Sequence, residues 1–421
     1  MSNQTKQWGA IIIMIALFAM IAFVTNLCTP MATIIKNQGE ISNVLAQIGN
    51  YGNFIAYLVM GIPAGMLIAK YGYKKTALIG LLVGITGILI QWYSGQLDAQ
   101  ANLGLVFGVY LVGALITGLC MCILNCVVNP MLNLLGGGGN KGNQLIQIGG
   151  VFNSSAAVAC YILMGALIAD ASKAKIADAT PALMIALAIF VIAFVIILFT
   201  KIEEPEQAPV QLDLIKGAMS YKHFALGTLG IFLYMGIEVG VPNFVQQYLI
   251  EERNIPAATV GMLVAVYWFM MLIGRFVGAS IGDKVSSRSM ITTVSCATMV
   301  LVLFGMFAPT DVLVSFPGVD WGKLEMIWQP VPVGIFSFLL VGLCTSVMWG
   351  AIFNMAVEGL GKYTAIASGI FMTMVFGCAV MMFIQATVAD MTDYITSFWV
   401  VVFCAAYLLY YAQVGSKIAK K

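Results

Sequence analysis

Two groups of residues in this 421-residue chain carry polar chemistry inside strongly apolar surroundings. The first is Glu238, in the run FLYMGIEVGVPNF, one helical turn after Tyr234 and one turn before Pro242. Keeping a carboxyl ionised at that depth is expensive, so Glu238 is a group suited to changing its charge by taking a proton or holding Na⁺. The second is a ladder in ILNCVVNPMLN, where Asn125, Asn129 and Asn133 recur every four residues and share one helical face. An amide offers both donors and an acceptor to a hydroxyl-rich solute. Left unpaired in hydrocarbon, each costs several kcal/mol, so three in a row demand an explanation.

More amides follow the same pattern. Thr25, Asn26, Thr29 and Thr33 fall close in angle around Pro30, Asn43, Gln47, Asn50 and Tyr57 form a second stripe with Asn53 beside it, and Gln147 and Asn153 belong to a fifth apolar run. For one such residue, helix–helix glue worth about 0.6–2 kcal/mol is as good a reading as any. Four runs that all present amides favour a shared wet cavity, because polar groups facing water or a ligand avoid the desolvation cost. The expected substrate-binding set is Asn26, Asn50, Tyr57, Asn125, Asn129, Gln147, Asn153, Tyr234 and Trp349, with Tyr57, Tyr234, Trp268 and Trp349 as aromatics able to give flat contact for a sugar ring. Asn133, nearer the membrane face, reads as glue. No lysine or arginine is expected at the depth of Glu238. Arg275, Asp283 and Glu358 are placed at one mouth of the cavity, where Arg275 pairs with either acid to close it.

The elements that must position these residues are membrane helices. The chain is 61% hydrophobic and 9% charged, against about 25% charged for a soluble domain, and its mean hydropathy is +0.96. Apolar windows long enough to cross a bilayer occur near 8–30, 46–69, 76–94, 103–134, 146–169, 181–200, 223–249, 258–281, 289–309, 332–355, 364–388 and 395–415. The expected fold is an all-α membrane protein with twelve transmembrane helices in two six-helix bundles. Residues 1–200 form the first bundle, 201–222 a cytoplasmic linker, and 223–421 the second. Lysines and arginines gather in the connections on the side of the termini, which puts both termini in the cytoplasm.

Other chemistries are disfavoured. The net charge of +2 suggests no nucleic-acid partner. Nine cysteines all fall in apolar runs and read as small buried side chains, with no disulfide or metal spacing. LLGGGGNKGNQ lacks the Gly-Lys-Ser/Thr ending of a phosphate loop and joins two membrane helices. His223 reads as an interfacial residue, and no Ser, His and carboxylate set points to an enzyme.

AGMLIAKYGYKK (64–75) resembles the connection between the second and third helices of the major facilitator superfamily, with Ala69 where that motif has an acid. FVTNL, NPMLNLLG with FNSS, YMGIEV, and GRFVG followed by IFNMAVEGLG resemble the branch of fucose/proton symporters and glucose–galactose transporters. Fucose/proton symporters carry an acid in the first helix where this chain has Cys28–Thr29, a glutamate where it has Asn125, and a glutamine where it has Gly150. The resemblance thus implies a sugar site that keeps its hydrogen-bonding groups and lacks its first-half acids. It also implies a monomer.

The resulting expectation is a bacterial inner-membrane importer of a neutral monosaccharide (hexose, deoxyhexose or N-acetyl amino sugar), coupled to H⁺ or Na⁺ through Glu238 and needing no cofactor. Its partners are a small neutral sugar and membrane lipid. Alternatives are a sugar facilitator, an importer of another polar neutral solute such as a nucleoside, a drug exporter, or a sugar sensor that does not transport.

Overall fold

The computed structural model describes residues 8–39, 41–99, 101–135, 139–167, 174–200, 214–281, 285–320, 325–360 and 363–418. The side chain of Gln147, the whole of Asp283 and linker residues 201–213 lie outside the described residues. Span 1 comprises Trp8–Asn26 and Cys28–Gly39, and spans 2 and 3 run continuously through Ile48–Ser94. Spans 4 to 6 are Leu103–Leu135, Gly139–Leu167 and Thr180–Phe199. Spans 7 to 10 are Lys222–Glu251, Ala257–Ile281, Ser287–Phe307 and Val333–Val357. Span 11 comprises Thr364–Met374 and Gly377–Met391, and span 12 is Thr396–Gly415.

Eleven helices of the described chain are long and apolar enough to cross a membrane. The 47 residues of Ile48–Ser94 would extend roughly 70 Å as one helix, about twice a bilayer core. Gly72, at φ 80° and ψ 174°, breaks that run into two spans and brings the total to twelve. Only glycine takes this backbone conformation without strain.

Prolines break or bend the spans that hold polar residues. Pro30 has no N–H for the Asn26 carbonyl, and span 1 is interrupted beside it at Leu27. Pro242 likewise releases the Glu238 carbonyl, which accepts the Tyr267 hydroxyl of span 8 at 3.0 Å instead. Spans 6 and 9 are peripheral, only 28% of each window being buried, and they show Ile192, Phe199, Val300 and Phe304 outward, as lipid requires. Inside each half, helices approach to backbone contact at glycine: Gly118 of span 4 lies on the Asn53 carbonyl of span 2, and Gly342 of span 10 on the Tyr267 carbonyl of span 8.

One element was absent from the all-helical expectation. Residues Leu313–Asp320 and Glu325–Pro332 form an antiparallel hairpin between spans 9 and 10. Its strands mix β-branched and aromatic residues over too short a length to span, and prolines at 317, 330 and 332 deny them a helix. Gly318 packs against Thr259 at the start of span 8.

The halves meet along span 5 with span 8, and along span 2 with span 11. At the end away from the termini they are also fastened by charge. Lys36, closing span 1, forms an ion pair with Glu251, closing span 7, and donates to Asn43 Oδ1 at 2.7 Å and to the Tyr394 hydroxyl at 2.6 Å. The Tyr394 hydroxyl also donates to Glu251 Oε2 at 2.6 Å. Burial, and then the Glu251 charge, push its ionisation above the ordinary tyrosine range, so it remains a donor. Asp390 of span 11 accepts from the backbone N–H groups of Asn43 (2.7 Å) and Val44 (3.0 Å), which open the helix before span 2.

Gly72→Ala should destabilise the protein by ~1–3 kcal/mol through backbone strain, read as an earlier melting transition of the purified protein. Glu251→Gln leaves the half-buried Lys36 without its counter-charge. It should cost ~1–3 kcal/mol and speed thiol labelling of Asn43→Cys, whereas unchanged labelling would show that the ion pair does not hold this end shut.

Candidate functional site

Below that fastening lies a layer of amides shared by both halves. Gln47 of the helical run entering span 2 and Asn243 of span 7 exchange two hydrogen bonds, Gln47 Nε2 to Asn243 Oδ1 at 2.8 Å and Asn243 Nδ2 to Gln47 Oε1 at 3.2 Å. Asn243 Nδ2 also reaches Thr29 Oγ1 at 3.3 Å, Gln247 donates to Asn243 Oδ1 at 2.6 Å, and Gln246 donates to Thr33 Oγ1 at 3.4 Å. Asn50 donates to Gln47 Oε1, while its own Oδ1 is buried without a partner. Span 7 contributes three amides here that the sequence reading passed over. The four-residue spacing of Asn243 and Gln247 in VPNFVQQY is the same signal as the asparagine ladder.

The ladder lies deeper. Asn125 donates through Nδ2 to the Tyr57 hydroxyl at 2.9 Å and to the Met121 carbonyl at 3.1 Å, and Asn129 donates to the Asn125 carbonyl at 3.1 Å. Both side chains are half-buried, whereas neighbouring Met121, Cys122 and Leu124 are fully buried. Anchoring the N–H groups on their own helix leaves the amide oxygens of Asn125 and Asn129 without a partner among the described residues. These oxygens are acceptors held in fixed orientation. Asn26 and Asn153 are spent differently: Asn26 bonds back to the Ala22 carbonyl at 2.8 Å and is 8% exposed, and Asn153 ties span 5 to the Phe18 carbonyl of span 1 at 2.9 Å.

In the second half, Tyr234, Trp349 and Glu238 come together. The Tyr234 and Trp349 rings are 6.2 Å apart, and the Tyr234 hydroxyl donates to the Thr345 carbonyl at 3.4 Å, one helical turn from Glu238. Tyr267 bridges the Glu238 carbonyl and Thr345 Oγ1 at 3.2 Å. Across the seam, Tyr161 of span 5 stacks on Trp268 of span 8, centroids 6.4 Å apart, and both Tyr161 OH and Trp268 Nε1 are buried and unpaired. Trp268 is one of the aromatics expected to face a sugar ring, whereas Tyr161 was not expected. Their meeting depends on how spans 5 and 8 pack, which one sequence does not show.

The charged residues depart from expectation. Arg275 is half-buried and brings a cation into the seam, two turns along span 8 from the Tyr267 that bonds the Glu238 carbonyl. Its position two turns from the helix end understated how far a long side chain reaches inward. Nη1 of Arg275 donates to the Gly150 carbonyl of span 5. Glu358 is exposed, and its backbone carbonyl contacts His223 Nε2 at 2.9 Å. The structure therefore shows Arg275 on Gly150 rather than on Glu358. His223, second residue of span 7, is 3% exposed and joins that end of span 7 to the end of span 10. No cluster of His, Cys, Asp or Glu able to hold a metal occurs among the described residues.

Residues 10–384 match the Major Facilitator Superfamily. The chain is 27% identical over 425 residues to a glucose/galactose transporter of Brucella abortus biovar 1 (strain 9-941), covering 99% of this chain and 96% of that one. It is 20% identical over 435 residues to the L-fucose-proton symporter of Escherichia coli (strain K12), covering 96% and 92%. The fold is similar to the crystal structure of the superfamily transporter FucP in the outward conformation, with TM-score 0.68, 19% identity, and coverage of 97% and 98%. It is also similar to the D-xylose-proton symporter, with TM-score 0.71, 11% identity, and coverage of 97% and 98%. With twelve spans, a seam of amides between its halves and a match over nearly its whole length, the chain is a multi-pass membrane transporter, not an enzyme, and belongs to the Major Facilitator Superfamily.

Proposed function

We propose that this protein imports a neutral monosaccharide (hexose, deoxyhexose or N-acetyl amino sugar) across a bacterial inner membrane by alternating access. Residues 1–200 and 223–421 act as the two rocking bundles, joined by the 201–222 connection. The observation that carries the reading is the pair of half-buried asparagines, Asn125 and Asn129, whose N–H groups are held by their own helix and, for Asn125, by the Tyr57 hydroxyl of span 2, while their oxygens meet no protein donor among the described residues. Hydroxyl donors of a sugar suit such acceptors, and Tyr234 with Trp349 offers a facing aromatic wall. The names of the relatives support the same substrate class.

Net charge in the seam also favours a neutral solute. Spans 7 and 8 carry one acid, Glu238, and one base, Arg275, away from their ends, so their charges sum to zero and no excess cation awaits an acidic or phosphorylated sugar. The basic side of the membrane holds the termini, which makes the Lys36–Glu251 end the outer one. The protein works as a monomer.

Glu238 is the proposed coupling group, with H⁺ as the ion and Na⁺ as the competing outcome. The described spans of the first half contain no carboxyl in their interior, so coupling chemistry falls to span 7. Its carboxyl, partly exposed and one helical turn from Tyr234, is placed to exchange a proton with water in the seam.

Proteoliposomes carrying the pure protein should accumulate radiolabelled D-glucose, D-galactose or a related neutral sugar under a pH gradient. Failure with every neutral sugar, against uptake of a nucleoside, would overturn the substrate class. Asn125→Ala and Asn129→Ala should each weaken sugar binding by ~1–3 kcal/mol, read by thermal shift, while the variants still fold. Glu238→Gln should lose uphill accumulation yet still equilibrate sugar down its gradient. Accumulation by that variant would move coupling to another residue, and a wild-type response to sodium alone would replace the proton.

A further inference from the structure

Among the described residues, Arg275 is the one basic side chain within the two spans, 7 and 8, that pack around Glu238, away from their ends. On span 8 it follows Tyr267 and Met271 at four-residue intervals, so the three share a face. The Tyr267 hydroxyl, bonded to the Glu238 carbonyl at 3.0 Å, fixes that face against the Tyr234–Glu238 face of span 7. The helices are antiparallel, so Met271 lies level with Tyr234 and Arg275 one turn beyond it, with its guanidinium reaching back to Met271 and so toward Tyr234 and Glu238. Its hydrogen bond nevertheless crosses to the other half, from Nη1 to the Gly150 carbonyl, while Nη2 lies 3.7 Å from Met271 Sδ. A Cβ on residue 150 would come 2.7 Å from Nη1 and 3.4 Å from Cζ, so the guanidinium fills a notch that only glycine leaves open.

We propose that Arg275 is the positioning residue that passes the charge state of Glu238 to the seam, its guanidinium divided between the Glu238 carboxylate in its own half and the Gly150 carbonyl in the other. The inference rests on Glu238 as the coupling group. When the carboxylate is ionised it competes for the guanidinium, because a charged acceptor outbids a neutral carbonyl. A proton arriving from water at a carboxylate oxygen removes that competitor. The Gly150 carbonyl then keeps the guanidinium, and spans 5 and 8 are bolted together. Release of the proton restores the competitor and loosens the bolt. The titratable groups facing Glu238 are Tyr234 on its own helix, Arg275 and Tyr267 from span 8, and Cys378 from span 11. Of these, Arg275 is the charged one, so it is the group that responds. Two arrangements of one side chain biased by one proton give the seam a discrete switch.

The test uses the purified full chain and needs no sugar. Spin labels are placed at Ile148→Cys on span 5 and Phe276→Cys on span 8, with the more accessible thiols Cys126 and Cys296 replaced by serine, and the label separation is measured in acidic and alkaline buffer. Wild type should hold a narrow distribution in acid that broadens in alkali. Glu238→Gln should stay narrow in both. Gly150→Ala, which evicts the guanidinium, and Arg275→Gln, which deletes it, should be broad in both. Arg275→Lys, keeping the charge, should retain part of the pH response, which a merely structural role would not restore. If Glu238→Gln abolishes the response while Gly150→Ala and Arg275→Gln respond like wild type, the relay through Arg275 is wrong and Glu238 stands. If Glu238→Gln responds like wild type, the coupling assignment itself fails. A wild-type distribution that ignores pH overturns the relay.

Discussion

Hydrocarbon supplies no partner for a polar group, and that constraint shapes every part of this molecule. It forces the backbone into helices across the membrane and confines the β-hairpin to a connection, where its prolines and strand residues meet no lipid core. It also decides where side-chain amides can go. Gln47, Asn243 and Gln246 bond one another or a threonine across the seam, and Gln247 supports Asn243 from its own helix, whereas spans 6 and 9 turn valine, isoleucine and phenylalanine outward. The line between the halves is therefore polar by elimination. A solute that brings its own donors and acceptors finds them matched only there.

The same constraint gives the prolines a role beyond bending. Each frees a carbonyl four residues back, and the freed group must be satisfied by something else. At Pro242 the freed carbonyl belongs to Glu238, and the Tyr267 hydroxyl takes it. The defect in span 7 is thus repaired by span 8, which locks the coupling carboxyl to the helix that carries Arg275. Polar contacts between the halves include an ion pair at one end, amides beneath it and a guanidinium on a backbone carbonyl deeper in. All three are hydrogen-bonded contacts that can be exchanged for water or solute at modest cost, unlike interdigitated leucines.

Much of this was legible in the sequence because membrane helices are read from composition. The span boundaries, the break at Pro30, the Tyr57 and Asn125 stripes and the place of Glu238 inside a span all follow from apolar windows and a 3.6-residue repeat. What could not be read is which faces meet. Asn243 and Gln247 carry the same spacing as Asn125 and Asn129, yet nothing in one chain says that Gln47 lies opposite. Tyr161 on Trp268, and Arg275 in the Gly150 notch, are likewise products of packing between spans 5 and 8. The hairpin escaped because its residues, apolar but too few to span, fell between two strong windows.

The central claim is that the asparagine face of span 4 lines a wet, sugar-accessible seam instead of gluing helices. Thiol labelling by a small charged methanethiosulfonate tests it most directly, comparing Asn125→Cys with Met121→Cys one turn away, in the background that lacks Cys126 and Cys296. Residue 125 should label readily, a transported neutral sugar should slow that labelling, and residue 121, fully buried, should resist the reagent. Resistance at residue 125 equal to that at 121, with or without sugar, would contradict the account.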